Sequence, residues 1–193
     1  MYAPVLLHPQ KKGVGLFEFN DSHYLVFLPK PELLLNRILK RSFYWLNQVI
    51  EHYSKVCVVF LQLHSKHYAE NNASMTYFNK RLRKALKAQY GGKIGIFWVR
   101  ERKLSQSQHY HLAVTVSGHL CRKSFHIDRL TKEIWESINE GNFSYSPKNR
   151  LYYINRLSQS FTYRAAFMRL SYFAKATTKE QNLLGNHFGG SFS

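Results

Sequence analysis

The segment His109-Tyr110-His111 has the residue types and spacing that most directly suggest chemistry in this sequence. Side chains alternate across an extended strand, so residues two apart project to one face. Two imidazoles placed that way can share one divalent ion, while Tyr110 turns to the other side. Glu101 ends the preceding apolar run and reaches the same place if that run pairs with the histidine run through residues 102–108. Two nitrogens and one carboxylate leave coordination positions open for a phosphate oxygen, as phosphoryl chemistry on Mg²⁺ or Mn²⁺ requires. Gln62 and His64, at the end of an earlier apolar run, are alternative third ligands. His119, His126 and His187 have no partner at ligand spacing and read as structural or solvent-facing.

A second group of reactive residues lies near the C-terminus. Leu157, Phe161, Ala165, Met168 and Tyr172 follow at steps of three or four, the spacing of one helix face, which would turn Tyr172 toward the rest of the fold. Lys175 stands one turn further on and Lys179 another turn beyond it. A cation beside a phenol favours the phenolate and offsets charge that builds on a phosphate. The positions four residues either side of Tyr172 are Met168 and Ala176, so no second tyrosine repeats it at one turn. Tyr163 lies nine residues back and should face away at about 100° per residue. Tyr152 and Tyr153 join the site only if their segment folds over it.

The elements that must position these residues can be read from periodicity. VGLFEF and HYLVFL, separated by Asn20, Asp21 and Ser22, form a hairpin. A helix follows Pro31, with Leu34, Leu35, Ile38, Leu39, Phe43, Leu46 and Ile50 on one face. VCVVFLQL reads as a central strand, residues 75–90 as a helix stopped by Gly91 and Gly92, and IGIFWVR and HYHLAVTV as an antiparallel pair. Residues 128–139 fit a helix capped by Asp128, LYYI a short strand, and about Ser158 to Ala176 a final helix. The expected class is α+β: an antiparallel central β-sheet flanked by helices. Residues 1–54 are expected as an N-terminal hairpin and helix extension for packing or DNA clamping, 55–180 as the chemical domain, and 181–193, ending in GGSFS, as a flexible tail.

Composition narrows the partner. Lys and Arg number 28 against 11 Asp and Glu, a formal net charge of +17, and aromatic residues make up 16% of the chain. Such a balance suits phosphate backbones, with rings on which unpaired bases can stack. No apolar stretch is long enough to suggest a membrane span, and the first residues do not form a secretory signal. Two cysteines, Cys57 and Cys121, make no disulfide framework, so a cytoplasmic location is expected.

His-Tyr-His on a strand followed by Tyr-x-x-Lys on a later helix resembles the HUH endonucleases. That superfamily comprises rolling-circle replication initiators, relaxases and some transposases. WVRE, HYHL and RLSYFAKATTK resemble more narrowly the inovirus-type initiators of filamentous phages and integrated elements, over roughly residues 55–180. The resemblance implies an RRM-like core, with His109 and His111 as metal ligands, Tyr172 as nucleophile and Lys175 as its helper cation. It leaves the third ligand among Glu101, Gln62 and His64. It further implies one Mg²⁺ or Mn²⁺ and a single-stranded DNA origin, nicked and rejoined through a 5′-phosphotyrosine. No G-x-x-x-x-G-K-[ST] loop is present, so a host helicase and a host polymerase are expected partners. A relaxase would show a third histidine and an N-terminal tyrosine. A single-tyrosine transposase and a non-catalytic DNA-binding protein on the same fold are the alternatives.

Overall fold

The computed structural model describes residues 1–28, 30, 33–102, 107–158, 161–177, 179 and 186–193. Three strands, β1 (Val5–Leu7), β2 (Val14–Phe19) and β3 (Ser22–Phe27), pair antiparallel in that order into a small sheet. Helix α1 (Asn36–His52) leads to β4 (Lys55–His64), α2 (Ala73–Tyr90), β5 (Gly95–Glu101) and β6 (His109–Ser117). Then come α3 (Phe125–Glu136), β7 (Phe143–Tyr145), β8 (Leu151–Asn155), α4 (Phe161–Ser171), a 3₁₀ turn at Tyr172–Ala174, and β9 (Phe188–Phe192). The main sheet has the order β7-β4-β6-β5-β9, with β8 also pairing to β4. The protein is thus α+β, with an antiparallel sheet flanked by helices.

Strand β4 is apolar on both sides because both faces of the sheet are covered. Cys57, Val59, Leu61 and Leu63 face one layer, where Met75, Phe78, Leu82 and Leu86 of α2 and Ile127 and Trp135 of α3 are buried. Val56, Val58 and Phe60 face the other, against Leu39, Phe43 and Leu46 of α1 and Phe167 and Leu170 of α4. Gly91, at φ 60°, ends α2 as the glycine stop anticipated, its N–H donating to the Lys87 carbonyl.

The N-terminal third is continuous with this second layer. Phe17, Phe19, Tyr24 and Val26 of the small sheet share one apolar cluster with α1, α4 and the main sheet, so no break between cores falls at residue 54. Phe43 is fully buried there, with Phe17, Phe19, Tyr24 and Phe167 rings around it at 4.5–5.8 Å. Truncating it to alanine would cost about 3–5 kcal/mol.

Several expectations from the sequence are corrected. Helix α3 begins at Phe125, not at 128, with Ser124 as its N-terminal flank. The Asp128 carboxylate caps nothing; it accepts from Ser124 Oγ at 2.9 Å and from Arg150 at 2.7 and 3.0 Å. The GGSFS end is not a flexible tail in its described part, because β9 pairs with β5 from Gly95↔Phe192 to Val99↔Phe188; residues 181–185 lie outside the described residues. Its glycines are there for close approach: a Cβ on Gly189 would meet the Trp98 indole at 2.8 Å, and one on Gly190 the Phe97 ring at 2.5 Å.

The final helix is shorter and turned about its axis relative to expectation. Leu157 and Phe161, placed on the inward stripe by spacing, are 80% and 92% exposed. The buried row is Ala166, Phe167 and Leu170, because Phe167 packs edge-on or tilted among Phe43, Tyr24 and Tyr163. Residues 159 and 160, inside the expected helix, lie outside the described residues.

Candidate functional site

Antiparallel register assembles the centre. Glu101 of β5 stands directly opposite His109 of β6, which stands opposite His64 of β4; Val99, His111 and Gln62 form the next row. Directly paired residues share a sheet face. Glu101, His109, His111, Gln62 and His64 therefore all project toward the α1 and α4 layer.

Three donor atoms, one each from Glu101, His109 and His111, lie within 4.8 Å of one another. Glu101 Oε2 is 3.3 Å from His109 Nε2 and 3.2 Å from His111 Nε2. Despite that closeness, Glu101 Oε2 and His111 Nε2 are buried with no aligned hydrogen-bond partner. Unsatisfied buried polar atoms cost about 1–3 kcal/mol each. A divalent cation between them would relieve both, and two imidazole nitrogens with one carboxylate oxygen are a donor set that can hold a divalent metal ion. The residues present thus fit one ion. His64 does not join the group; its ring stacks on His109 at 5.4 Å, while Gln62 lines a neighbouring cavity.

Charge around Glu101 is tightly balanced. The side chain is fully buried, which pushes its carboxyl up, but His109, His111 and the Lys179 ammonium reverse this and hold it well below the usual carboxylate range. Lys179 Nζ is 2.6 Å from Oε1, and Lys175 Nζ is 3.3 Å from Oε2. Burial pushes Lys179 down to about 8, against the pull of Glu101. Burial likewise lowers His111 despite Glu101 beside it, and burial and then the two other imidazoles lower His64. A lowered imidazole keeps the neutral, ligating form at physiological pH.

Tyr172 and Lys175 come to the same place by a different route from the one expected. Tyr172 opens the 3₁₀ turn instead of continuing α4, and its ring stands across that of His111 at 5.3 Å and 82°. Lys175 Nζ lies 2.7 Å from Tyr172 Oη and 4.3 Å from its ring centre. Ala165, Met168 and Tyr172 line a cavity of about 480 Å³ with Phe27, Gln62, Tyr152 and Arg169. The last three residues of the stripe read from spacing face this cleft and not the core.

The sequence carried no signal for what holds the tyrosine turn. Leu35 N–H donates to the Ala174 carbonyl at 2.7 Å, Ala176 N–H to Leu33 at 3.0 Å, and Phe27 N–H to Ser171 Oγ at 2.8 Å. Such backbone pairing between segments far apart in sequence leaves no periodicity to detect. Tyr163 points elsewhere, bonded to Tyr24 and to Asn47 Oδ1 at 3.1 Å. Tyr152 lines the cavity, whereas Tyr153 lies on the opposite face in register with Cys57. His119 and His126 are exposed and His187 is half-buried, and none of the three belongs to the group of Glu101, His109 and His111.

Among the described residues, no helix is long and apolar enough to cross a membrane. The family model described as YagK/YfjJ C-terminal domain matches residues 21–191. No curated protein and no solved structure matches.

Proposed function

This chain belongs to the YagK/YfjJ C-terminal domain family, whose description names no chemistry, and from the geometry of its site we propose that it nicks and rejoins single-stranded DNA through Tyr172. The observation that carries the reading is the chain of contacts from the Tyr172 phenol through the Lys175 ammonium to Glu101 and its grouped donors with His109 and His111, beside the cleft that Tyr172 and His111 line. A basic chain of net charge +17 favours a polyanionic substrate. The order of the motifs, with its resemblance to the HUH rolling-circle initiators, supports the same reaction and makes replication of a phage or mobile element the setting.

Glu101, His109 and His111 would hold one Mg²⁺ or Mn²⁺, which supplies Lewis acidity at a non-bridging phosphate oxygen. Tyr172 Oη attacks phosphorus in line, and the Lys175 ammonium, already 2.7 Å away, stabilises the phenolate character that develops. The phenol proton passes to bulk water. The new bond joins the phenol oxygen to the 5′-phosphate as the bond to the 3′-oxygen breaks, and that oxygen leaves protonated as a hydroxyl. Attack by a later 3′-hydroxyl reverses these steps and frees the phenol, so joining needs no nucleotide cofactor. Lys179 holds Glu101 Oε1 and leaves Oε2 facing the imidazoles.

The test is incubation of labelled single-stranded DNA carrying the candidate origin with protein and Mn²⁺. A covalent protein–DNA band that requires the ion, and that Tyr172→Phe abolishes, is expected. DNA binding without any adduct would favour the non-catalytic alternative, and an adduct mapped to Tyr152 would overturn the assignment of the nucleophile.

A further inference from the structure

Strand β7 was not anticipated from the sequence, and its two aromatic residues have no role in the centre described above. Phe143 and Tyr145 are each 51% exposed, among the larger apolar side chains left in solvent. They occupy alternate positions of a three-residue strand, so they share a face, while Ser144 between them turns to α3 and takes its backbone partner from Glu136. In register, Phe143 pairs with His64 and Tyr145 with Gln62. Their face is therefore the face of the His109 and His111 pair.

The row that results runs across four strands. The Phe143 ring stacks on His64 at 4.4 Å with planes 3° apart, and His64 stacks on His109 at 5.4 Å and 13°. His109 in turn meets Glu101. Beside this row, the Tyr145 side chain makes no hydrogen bond or ring contact among the described residues. The flanking loops present Lys66 and Lys148 to solvent.

We propose that Phe143 and Tyr145 form a platform on which two consecutive unpaired nucleobases stack, as the strand of DNA enters the Tyr172 cleft. The inference rests on the single-strand substrate of the nicking reading. Polarity and charge favour this occupant: an exposed aromatic pair on a strongly basic chain offers stacking faces within reach of cations for the phosphates. Spacing favours single strands. Residues two apart on a strand are about 6.7 Å apart, about twice the 3.4 Å repeat of stacked bases in a duplex. Bases seated on both rings must therefore be unstacked from each other, which an undistorted paired helix does not offer.

The experiment measures binding of fluorescein-labelled dT20 and of a 20-base-pair duplex to the full chain by anisotropy in EDTA, where no cleavage occurs. Phe143→Ala and Tyr145→Ala are each expected to weaken dT20 binding roughly tenfold, with duplex binding changed less than about twofold. Phe143→Tyr and Tyr145→Phe should bind dT20 as the unaltered chain does. Thermal unfolding and Mn²⁺ titration of each alanine variant separate lost stacking from lost folding. Unchanged dT20 affinity, or equal losses for dT20 and duplex, would overturn the platform. If the unaltered protein forms no covalent adduct yet its dT20 affinity depends on both rings, the nicking reading fails and the platform stands.

Discussion

Leu35 donates its backbone N–H to the carbonyl of Ala174 at 2.7 Å, tying the start of the first long helix to the turn that carries Tyr172. An isolated bridge between Leu34 and Lys175 lies beside it. The turn is only three residues long and has no helical continuation, so its geometry depends on these partners from the N-terminal third. The segment that carried no recognisable chemistry in the sequence is what holds the phenol against His111.

Ser171 is the most economical test of that support. Its hydroxyl accepts the Phe27 N–H at 2.8 Å and donates to the Met168 carbonyl at 2.7 Å. Ser171→Ala leaves the Phe27 amide without a partner, at a cost of about 1–3 kcal/mol. Denaturant unfolding should show that loss. Adduct formation with single-stranded DNA should also slow, since the tyrosine turn loosens. A variant with unchanged stability and rate would show that β3 does not hold the turn.

Lys175 and His111 should fail in different ways. Lys175→Ala removes the cation 2.7 Å from Tyr172 Oη and should slow adduct formation about 100-fold while sparing Mn²⁺ binding. His111→Ala removes a donor and should abolish tight Mn²⁺ binding, measured by calorimetry, together with the adduct. Retention of Mn²⁺ affinity by the His111 variant would sink the ligand assignment. Loss of Mn²⁺ affinity in the Lys175 variant would mean that the lysine acts through Glu101 instead of through the phenol.

The C-terminal strand yields a prediction about stability alone. Gly190→Val would drive its side chain into the Phe97 ring, which a Cβ already meets at 2.5 Å. Overpacking at such a position costs about 1–3 kcal/mol. The melting temperature should fall accordingly. An unchanged melting temperature would show that β9 separates readily from β5.

Cys57 and Cys121 place their sulfurs 3.4 Å apart in the layer opposite the site. The contact between the two thiols pulls Cys121 down to about 6 against the effect of burial, while Cys57 is pushed upward by the same contact. The folded chain then binds fewer protons than the unfolded chain between about 6 and an unperturbed thiol value near 8.5. Stability should rise with pH across that window. Cys121→Ser should flatten the rise, measured by urea unfolding at a series of pH values; an equal slope in both proteins would assign it to another group.

Local sequence determined whatever follows from a repeat in the chain. Period-two alternation sufficed to put His109 and His111 on one face, and uninterrupted β-branched and aromatic residues marked β4 as a strand covered on both sides. Gly91 marked the end of α2 because only a positive φ fits there. The spacing of Tyr172 and Lys175 brought phenol and ammonium together whether the backbone was α-helical or, as found, a tighter turn. Tertiary structure decided what depends on partners distant in sequence. Register across three strands placed Glu101 with the imidazoles while His64 stacked on Phe143, a juxtaposition that no single segment encodes. Docking of Phe167 among Phe43 and Tyr24 rotated α4 and turned Met168 to the cleft, since several apolar faces satisfied the same spacing. Strand β9 was hidden because its glycines read as a loose end until Trp98 and Phe97 came to lie against them. The three residues of β7 were too few to show a period, and only their pairing with His64 and Gln62 made them part of the site face.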